Sequence, residues 1–112
     1  MYDPYRQGMH DDKLEETTER LNRWVSEATR NKVKAYAEAA FIFTADYFEG
    51  KIGFEIPDGQ GVRQYEFQER GPHAWLLWGD RNPGEPYPTV TNEQLEAKML
   101  ELWDRYNKPE NQ

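Results

Sequence analysis

The stretch KIGFEIPDGQGVRQYEF, residues 51–67, decides the fold that this chain is expected to adopt. In its first part, apolar residues alternate with glycine and glutamate, which is typical of a strand with one buried face. Residues 57–61, PDGQG, follow with the proline and glycines that tight turns favour. Beyond them, Tyr65 and Phe67 alternate with polar residues and indicate a second, half-buried strand. The stretch therefore predicts an antiparallel hairpin.

The residues before the hairpin, 32–48, fit two structures. With a period of two, apolar residues alternate with charged ones, whereas a period of 3.6 also gives an apolar stripe and the alanines favour a helix. One straight strand over the whole segment is too long, because most strands have about 3–10 residues. Since Glu49-Gly50 supplies a turn signal, we favour a long, bent strand over at least residues 39–48. A helix through about residue 40 is the alternative.

A further strand and a loop follow the hairpin. Gly71-Pro72 breaks the chain, and the next residues, HAWLLW (73–78), predict a short strand that is apolar on both faces. Residues 79–88 contain three prolines and two glycines. They predict a loop outside the sheet, because proline cannot donate a hydrogen bond to a strand ladder.

A helical pattern precedes the strands, between about residues 12 and 30. Asp11 or Asp12 is expected to cap this helix. Its charged residues, Arg20 among them, are expected to face mostly water. The apolar stripe consists of Leu14, Leu21, Trp24, Val25 and Ala28.

A second helical pattern follows Thr91 and Gln94, which have the spacing of a capping box. Pro109 marks its end. The apolar stripe is the most regular in the chain and consists of Leu95, Met99, Leu102, Trp103 and Tyr106.

The order of these segments predicts an α+β fold: an N-terminal helix, an antiparallel meander of three to four strands and a C-terminal helix. Because both helices have an apolar stripe, we expect them to pack on one face of the sheet. Residues 1–11 are interpreted as a flexible N-terminal arm, residues 12–107 as a single α+β domain and residues 108–112 as a C-terminal tail.

Acidic residues outnumber basic ones by 21 to 14 in the 112 residues, which gives a net charge of -7. The excess lies mainly in residues 1–19, with six acids and two bases, and in residues 35–69, with seven acids and two bases. Residues 20–34 form a basic island of five bases and one acid, interpreted as a solvated helix face with intrahelical Glu–Arg pairs. Because the overall field repels polyanions, we expect no direct binding to nucleic acid.

No segment suggests export or insertion into a membrane. The chain has no cysteine, which suits a reducing compartment, and no apolar run of the roughly 20 residues that span a bilayer. Its first residues, MYDPYRQGMHDDK, lack the apolar stretch of a secretory signal. We therefore expect a cytoplasmic protein that does not contact membranes.

The sequence offers no catalytic set. Ser26 is the only serine, and the two histidines, His10 and His73, lie far from it along the chain. No ligand spacing typical of a metal site and no glycine-rich phosphate loop occurs. Glu55 and Glu66 could form an acid–base pair on neighbouring strands, but with 14 glutamates some surface pair is expected. We expect no enzyme, and neither a cofactor nor a metal.

The predicted strands combine aromatic and acidic residues. RNA-binding sheets place such rings beside basic side chains, whereas here only Lys51 and Arg63 accompany the acids. Aromatic rings anchor protein interfaces and complementary charge speeds encounter, so the pattern favours docking on a basic protein. We expect the contacts to come from an exposed strand face and its turns, namely Glu55, Asp58, Tyr65, Glu66, Trp75, Trp78 and Asp80.

The order of segments resembles small immunity proteins of bacterial toxin systems. After a helix come KVKAYAEAAFIF (32–43), EGKIGFEIPDG (49–59) and QYEF (64–67), then a tryptophan-containing segment and a capped helix with LELWDRY (100–106). The resemblance covers most of residues 12–107 and involves no diagnostic motif, so no binding residue carries over. It implies a cytoplasmic protein that neutralises a cognate toxin by direct binding. Phage-encoded inhibitors of host defence share these features, and some of them are acidic mimics of DNA.

The leading hypothesis is a non-enzymatic inhibitor that binds another, basic protein, and two other functions stay open. A small-molecule-binding domain or enzyme would use a pocket between helices and sheet, lined by Trp24, Trp78 and Trp103. A structural, homo-oligomeric component would pair the apolar strand 74–78 with the same strand of a second copy.

Overall fold

The computed structural model describes residues 3–79 and 83–107, which form one antiparallel sheet with helices before and after it. The strands lie in chain order, so the sheet is a five-stranded meander. The predicted α+β fold is confirmed, with five strands instead of three to four. In chain order the elements are α1 (Pro4–Trp24), α2 (Glu27–Lys32), β1 (Tyr36–Ile42), β2 (Tyr47–Pro57), β3 (Val62–Glu69), β4 (Ala74–Trp78), β5 (Thr89–Thr91), a 3₁₀ turn (Asn92–Gln94) and α3 (Leu95–Asn107).

Helix α1 begins at Pro4, well before the predicted start at about residue 12. Asp3 caps it, because its carboxylate accepts two backbone N–H groups of the first turn, at 3.1 and 3.3 Å. Pro4 occupies the first helical position. Proline is tolerated there because a backbone N–H at this position would have no acceptor within the helix. Residues 4–11, expected in a flexible arm, are therefore helical, and the cap predicted two turns later is wrong.

The helix predicted to continue to about residue 30 is interrupted at Val25 and Ser26. Val25 has an extended backbone (φ -127°, ψ 122°). Ser26 then caps α2 by accepting the N–H of Thr29 at 3.3 Å. After the break, Thr29 is buried and the predicted core residue Ala28 is exposed.

Strands β1 and β2 form a hairpin in the segment that was predicted to be one bent strand or a helix. Its turn lies at residues 43–46, where the N–H of Ala45 donates to the carbonyl of Ile42 at 3.2 Å. Asp46 takes the positive φ of 54° that closes the turn. Both interpretations missed the hairpin because this turn contains neither glycine nor proline.

Gly50, predicted to form a turn with Glu49, instead lies inside β2. A Cβ at Gly50 would collide with the hydroxyl of Thr17 on α1. The glycine therefore allows close packing of helix and strand, which a local turn rule does not anticipate.

The second half of the sheet largely follows the predictions. The turn at residues 57–61 and the loop over the described part of 79–88 are both present. Thr91 and Gln94 form the predicted capping box, and the Thr91 N–H donates to the Gln94 side chain at 2.8 Å. Strand β4, however, pairs with β3 on one side and β5 on the other. Residues 74–78 therefore have no free edge for the predicted pairing with a second copy.

Both long helices pack on one face of the sheet, here called the covered face, as predicted. Helix α1 contacts β1 and β2, and α3 contacts β2 and β5. Within residues 3–79 and 83–107, no helix is both long and apolar enough to cross a membrane. The buried hydrophobic core consists of Leu21, Val25, Val33, Ile52, Phe54, Ile56, Tyr65, Phe67, Trp75, Leu77, Val90, Leu95, Met99 and Leu102.

Candidate functional site

The sheet face opposite the helices, here called the open face, is the main candidate for a functional surface. Neighbouring strand residues alternate between the two faces, so each core residue of β2 or β3 is followed by one that points away from the helices. By this alternation and the strand pairing, the open face comprises Tyr36, Glu38, Ala40, Ile42, Tyr47, Glu49, Lys51, Gly53, Glu55, Gln64, Glu66, Gln68, Leu76 and Trp78.

A chain of hydrogen bonds crosses three strands of the open face. The Gln68 amide nitrogen donates to both carboxylate oxygens of Glu49, at 2.9 and 3.1 Å. The Gln68 carbonyl oxygen in turn accepts the indole N–H of Trp78 at 2.7 Å. This chain fixes the orientation of the Trp78 ring on β4 relative to the carboxylate on β2.

Two further carboxylates of the open face have cross-strand partners. Lys51 Nζ lies 3.3 Å from Glu66. Glu55 accepts a hydrogen bond from Gln64 at 2.9 Å and lies 3.3 Å from Lys34 Nζ. The hydrogen bond from Gln64, followed by the interactions with Lys34, holds the pKa of Glu55 below the ordinary glutamate value. Glu55 is therefore ionised at neutral pH.

Aromatic rings lie on both sides of these carboxylates. Trp78 is 36% exposed and contacts Tyr87 of the following loop, with ring centroids 4.1 Å apart. Tyr36 is 53% exposed and lies over Gly53, where a Cβ would collide with the ring. Tyr47 is also exposed. The open face therefore presents rings supported by the sheet beneath them.

The charge of the open face is mostly negative. The open-face positions of the strands hold one basic residue, Lys51, and four glutamates, Glu38, Glu49, Glu55 and Glu66. Glu49 is only 6% exposed, so the other three supply the accessible negative charge. Lys34, which precedes β1, adds one positive charge at the end of the sheet beside Glu55. A basic partner would be attracted to this surface more than to a face of balanced charge.

The structure brings three of the seven predicted contact residues together. Glu55, Glu66 and Trp78 all belong to the open face. Asp58 lies in the adjoining β2–β3 turn, where it accepts the N–H of Gln60 and its carboxylate is 3.3 Å from Arg63. Asp80 lies outside the described residues.

Two predicted contact residues are on the wrong face. Tyr65 and Trp75 point to the covered face, where they are 4% and 0% exposed. The sequence itself indicates that Tyr65 is buried. Tyr65 lies two residues before the core residue Phe67, and alternate residues of a strand point to the same face of the sheet. The same alternation, applied to Glu55 and Glu66, would have found Lys51 and Gln68, which the prediction omitted.

On the covered face, Arg20 of α1 forms a polar cluster with Glu69 of β3. Its guanidinium donates to Glu69 at 2.9 Å and to Asn92 at 3.1 Å, and it lies 4.1 Å from the centre of the Trp75 ring. Lys13 adds a second cation 3.0 Å from Glu69. The interpretation of the basic island as a solvated face with intrahelical pairs is therefore wrong for Arg20, which joins the helix to the sheet.

The predicted tryptophan pocket does not form. Trp24 and Trp103 pack against the core on the helix side, whereas Trp78 lies on the open face. A separate surface cleft of about 330 Å³ lies between α1 and the β3–β4 connection and includes Trp24 and His73. Among the described residues, no group of three or more histidine, aspartate or glutamate side chains is placed to hold a metal ion.

Comparison of the chain with known protein families, with curated proteins and with solved structures gives no match. The candidate site therefore depends on the geometry of the open face alone.

Proposed function

We propose that this chain is a non-enzymatic protein that binds and inhibits another, basic protein through the open face of its sheet. The observation that carries the proposal is one surface that presents three accessible glutamates, one lysine and exposed aromatic rings, opposite the face on which both long helices pack. Such a combination suits recognition of a protein more than chemistry on a small molecule.

The charge of the open face supports a basic partner. Complementary charge between two protein surfaces raises the association rate above the neutral range of about 10⁵–10⁶ M⁻¹s⁻¹. Glu55 and Glu66 lie on the adjacent strands β2 and β3, so their charges act on the same part of a partner.

The hydrogen bonds of the open face support tight rather than loose association. Binding normally orders flexible side chains, at a free-energy loss of about 0.5–1.5 kcal/mol for each one. Gln68 already holds Glu49 and Trp78 by hydrogen bonds, so less ordering remains for the bound state. Trp78 is the ring best placed to anchor an interface, because aromatic residues often dominate binding energy.

The partner class that we propose is a toxin or a nucleic-acid-binding protein. Such proteins carry basic surfaces, and an acidic sheet face could occupy the surface that would otherwise bind nucleic acid. The order of helix, meander and helix, which resembles small immunity proteins, supports an immunity-type inhibitor. An inhibitor of host defence, as encoded by phages, fits the same chemistry.

A capture experiment with matched charge variants tests the proposal. The wild-type chain, the open-face variant Glu55→Lys/Glu66→Lys and the control variant Asp12→Lys/Glu15→Lys are each immobilised and exposed to extracts of the native host or its competitors. Asp12 and Glu15 are exposed on α1, away from the open face. Both variants change the net charge by the same amount, so only the position of the change differs.

We expect a basic protein that the wild type and the control retain and that the open-face variant loses. With the purified partner, the open-face variant should associate roughly tenfold more slowly at low salt and with a weaker salt dependence. The wild type should also block the partner's own activity. Equal association rates for the two variants, or a bound partner that stays fully active, would contradict the proposal.

A further inference from the structure

Strand β1 is a free edge of the sheet. It pairs with β2 on one side, and in the described residues no strand pairs with its other side. An edge strand presents alternate backbone N–H and C=O groups that another strand can pair with. The opposite edge, β5, has only three residues, whereas β1 has seven. β1 is thus the longer of the two edges available for pairing.

The sequence of β1, YAEAAFI, lacks the usual protection of an edge strand. Proteins commonly block such edges with lysines, prolines, bulges or inward-pointing charges. β1 has one charged residue, Glu38, and neither proline nor glycine. Phe43, directly after the strand, is 83% exposed. Apolar surface therefore continues along the edge to the tip of the hairpin.

We propose that β1 pairs in antiparallel orientation with β1 of a second copy of this chain, about a two-fold axis at Ala39. The two five-stranded sheets would then form one continuous ten-stranded sheet. Ala39 is the central residue of Tyr36–Ile42, so this register pairs all seven residues. The proposal concerns the edge of the sheet and is independent of the function proposed for the open face.

The side chains in this register are complementary. On the open face, Glu38 lies opposite Ala40 of the second copy, and Tyr36 lies opposite Ile42. On the covered face, the small Ala37 lies opposite the large Phe41. Like charges directly opposite each other would destabilise a strand pair, and this register contains no such pair.

Neighbouring registers are worse for identifiable reasons. A shift by one residue would place the open face of one copy beside the covered face of the other, because side chains alternate along a strand. A shift by two residues in one direction places Glu38 opposite Glu38. The same shift in the other direction leaves Tyr36 and Ala37 without partners in β1. The complementarity is thus specific to the full overlap and favours a second copy as the occupant.

A cysteine introduced at the axis tests this geometry. The natural chain has no cysteine, so a disulfide in a single-cysteine variant must join two copies. In Ala39→Cys, the two Cα atoms would be about 4.5–5.5 Å apart, within the range of a disulfide. In the control Ala37→Cys, on the same face of the same strand, equivalent residues are separated by about 13 Å along the strand.

We expect mild oxidation to convert Ala39→Cys into a covalent dimer at least tenfold faster than Ala37→Cys, measured on non-reducing gels. The unmodified chain should show a concentration-dependent rise from monomer to dimer mass by sedimentation equilibrium. A strict monomer at millimolar concentration would overturn the proposal, as would equal cross-linking of the two variants. Neither measurement uses the binding partner, so the result does not depend on whether the proposed inhibition is correct.

Discussion

The two faces of the sheet contain similar polar groups in different surroundings. Glu69 and Glu66 are three residues apart on β3, and each is paired with a cation from another element. On the covered face, the side chains of Glu69 and Arg20 are each 12% exposed. On the open face, the side chain of Glu66 is 33% exposed beside Lys51. Helix packing therefore gives the two ion pairs different roles. The Glu69–Arg20 pair holds helix and sheet together, whereas the Glu66–Lys51 pair is accessible to a partner.

The surroundings of the two glutamates explain this difference. Glu69 receives a hydrogen bond from the Gly50 N–H at 2.7 Å as well as contacts from Arg20 and Lys13. Burial of charges is unfavourable unless such partners replace the lost water. Glu66 keeps part of its hydration, so its charge depends less on any one neighbour.

The largest expected effect comes from removal of the covered carboxylate. Glu69→Ala leaves Arg20 partly buried without its anionic partner, and breaking such a pair typically lowers the free energy of unfolding by about 3–5 kcal/mol. Glu66→Ala, the matched change on the open face, should lower it by at most about 1 kcal/mol. Urea denaturation of both variants measures the difference. Similar losses for the two would show that the faces do not differ in this way.

Glycine substitutions give a second, smaller contrast. In Gly50→Ala, the new Cβ meets the Thr17 side chain at the helix–sheet contact, so we expect a loss of about 1–3 kcal/mol. In Gly53→Ala, the Cβ meets the exposed ring of Tyr36, which can rotate away, so the change should stay within about 0.5 kcal/mol. Thermal or urea unfolding distinguishes the two values.

The cause of the Gly50 effect can be isolated with a double-mutant cycle. Thr17→Ala removes both Thr17 atoms nearest to the new Cβ. Gly50→Ala should therefore be less destabilising in the Thr17→Ala background by about 1 kcal/mol or more. Additive effects of the two substitutions would show that the collision is not the cause.

The smallest expected effect concerns the pKa of Glu55, which Gln64 and Lys34 lower. A carboxyl whose pKa is lowered on folding stabilises the fold above its unfolded pKa, and this contribution is lost as the pH falls through the folded pKa. Gln64→Ala should raise the pKa of Glu55 towards its ordinary value, measured by ¹³C NMR titration of the side chain. The rise should persist in high salt, because the lost interaction is a hydrogen bond.

Gln60→Ala is the matched control for this titration, because Gln60 lies in the exposed β2–β3 turn. It should leave the pKa of Glu55 unchanged. A pKa that responds equally to both glutamine substitutions would exclude the direct hydrogen bond as its cause.

Local sequence patterns predicted some elements well and others poorly. The turn at 57–61 carries proline and glycine in sequence, and the α3 stripe repeats over three turns, so both were found. The β1–β2 turn has no such residues and was missed. Residues 1–11 were interpreted as a flexible arm, although Pro4 can occupy the first position of a helix and does so here.

The candidate site was also predicted only in part, because local sequence patterns indicate the positions of some of its residues and not of others. Glu55, Glu66 and Trp78 share the open face, which the strand alternation alone indicates for the two glutamates. Tyr65 and Trp75 were assigned to an exposed face by residue type, but aromatic residues on the covered face supply the core. Arg20 was expected in water because charged residues usually are. Its burial is explained by partners far along the chain, Glu69, Trp75 and Asn92.

The sequence by itself determined the α+β class, the β2–β3 hairpin and the capped C-terminal helix. These features depend on residues within a few positions of one another, through turn geometry, capping and side-chain periodicity. The tertiary structure alone decided that the Thr17 side chain packs closely against Gly50, that Arg20 is buried against Glu69 and that β1 is an edge strand of the sheet. Those outcomes depend on contacts between segments that are distant in sequence. The energy of such a contact depends on how deeply it is buried, and the burial exists only once the helices have packed on the sheet.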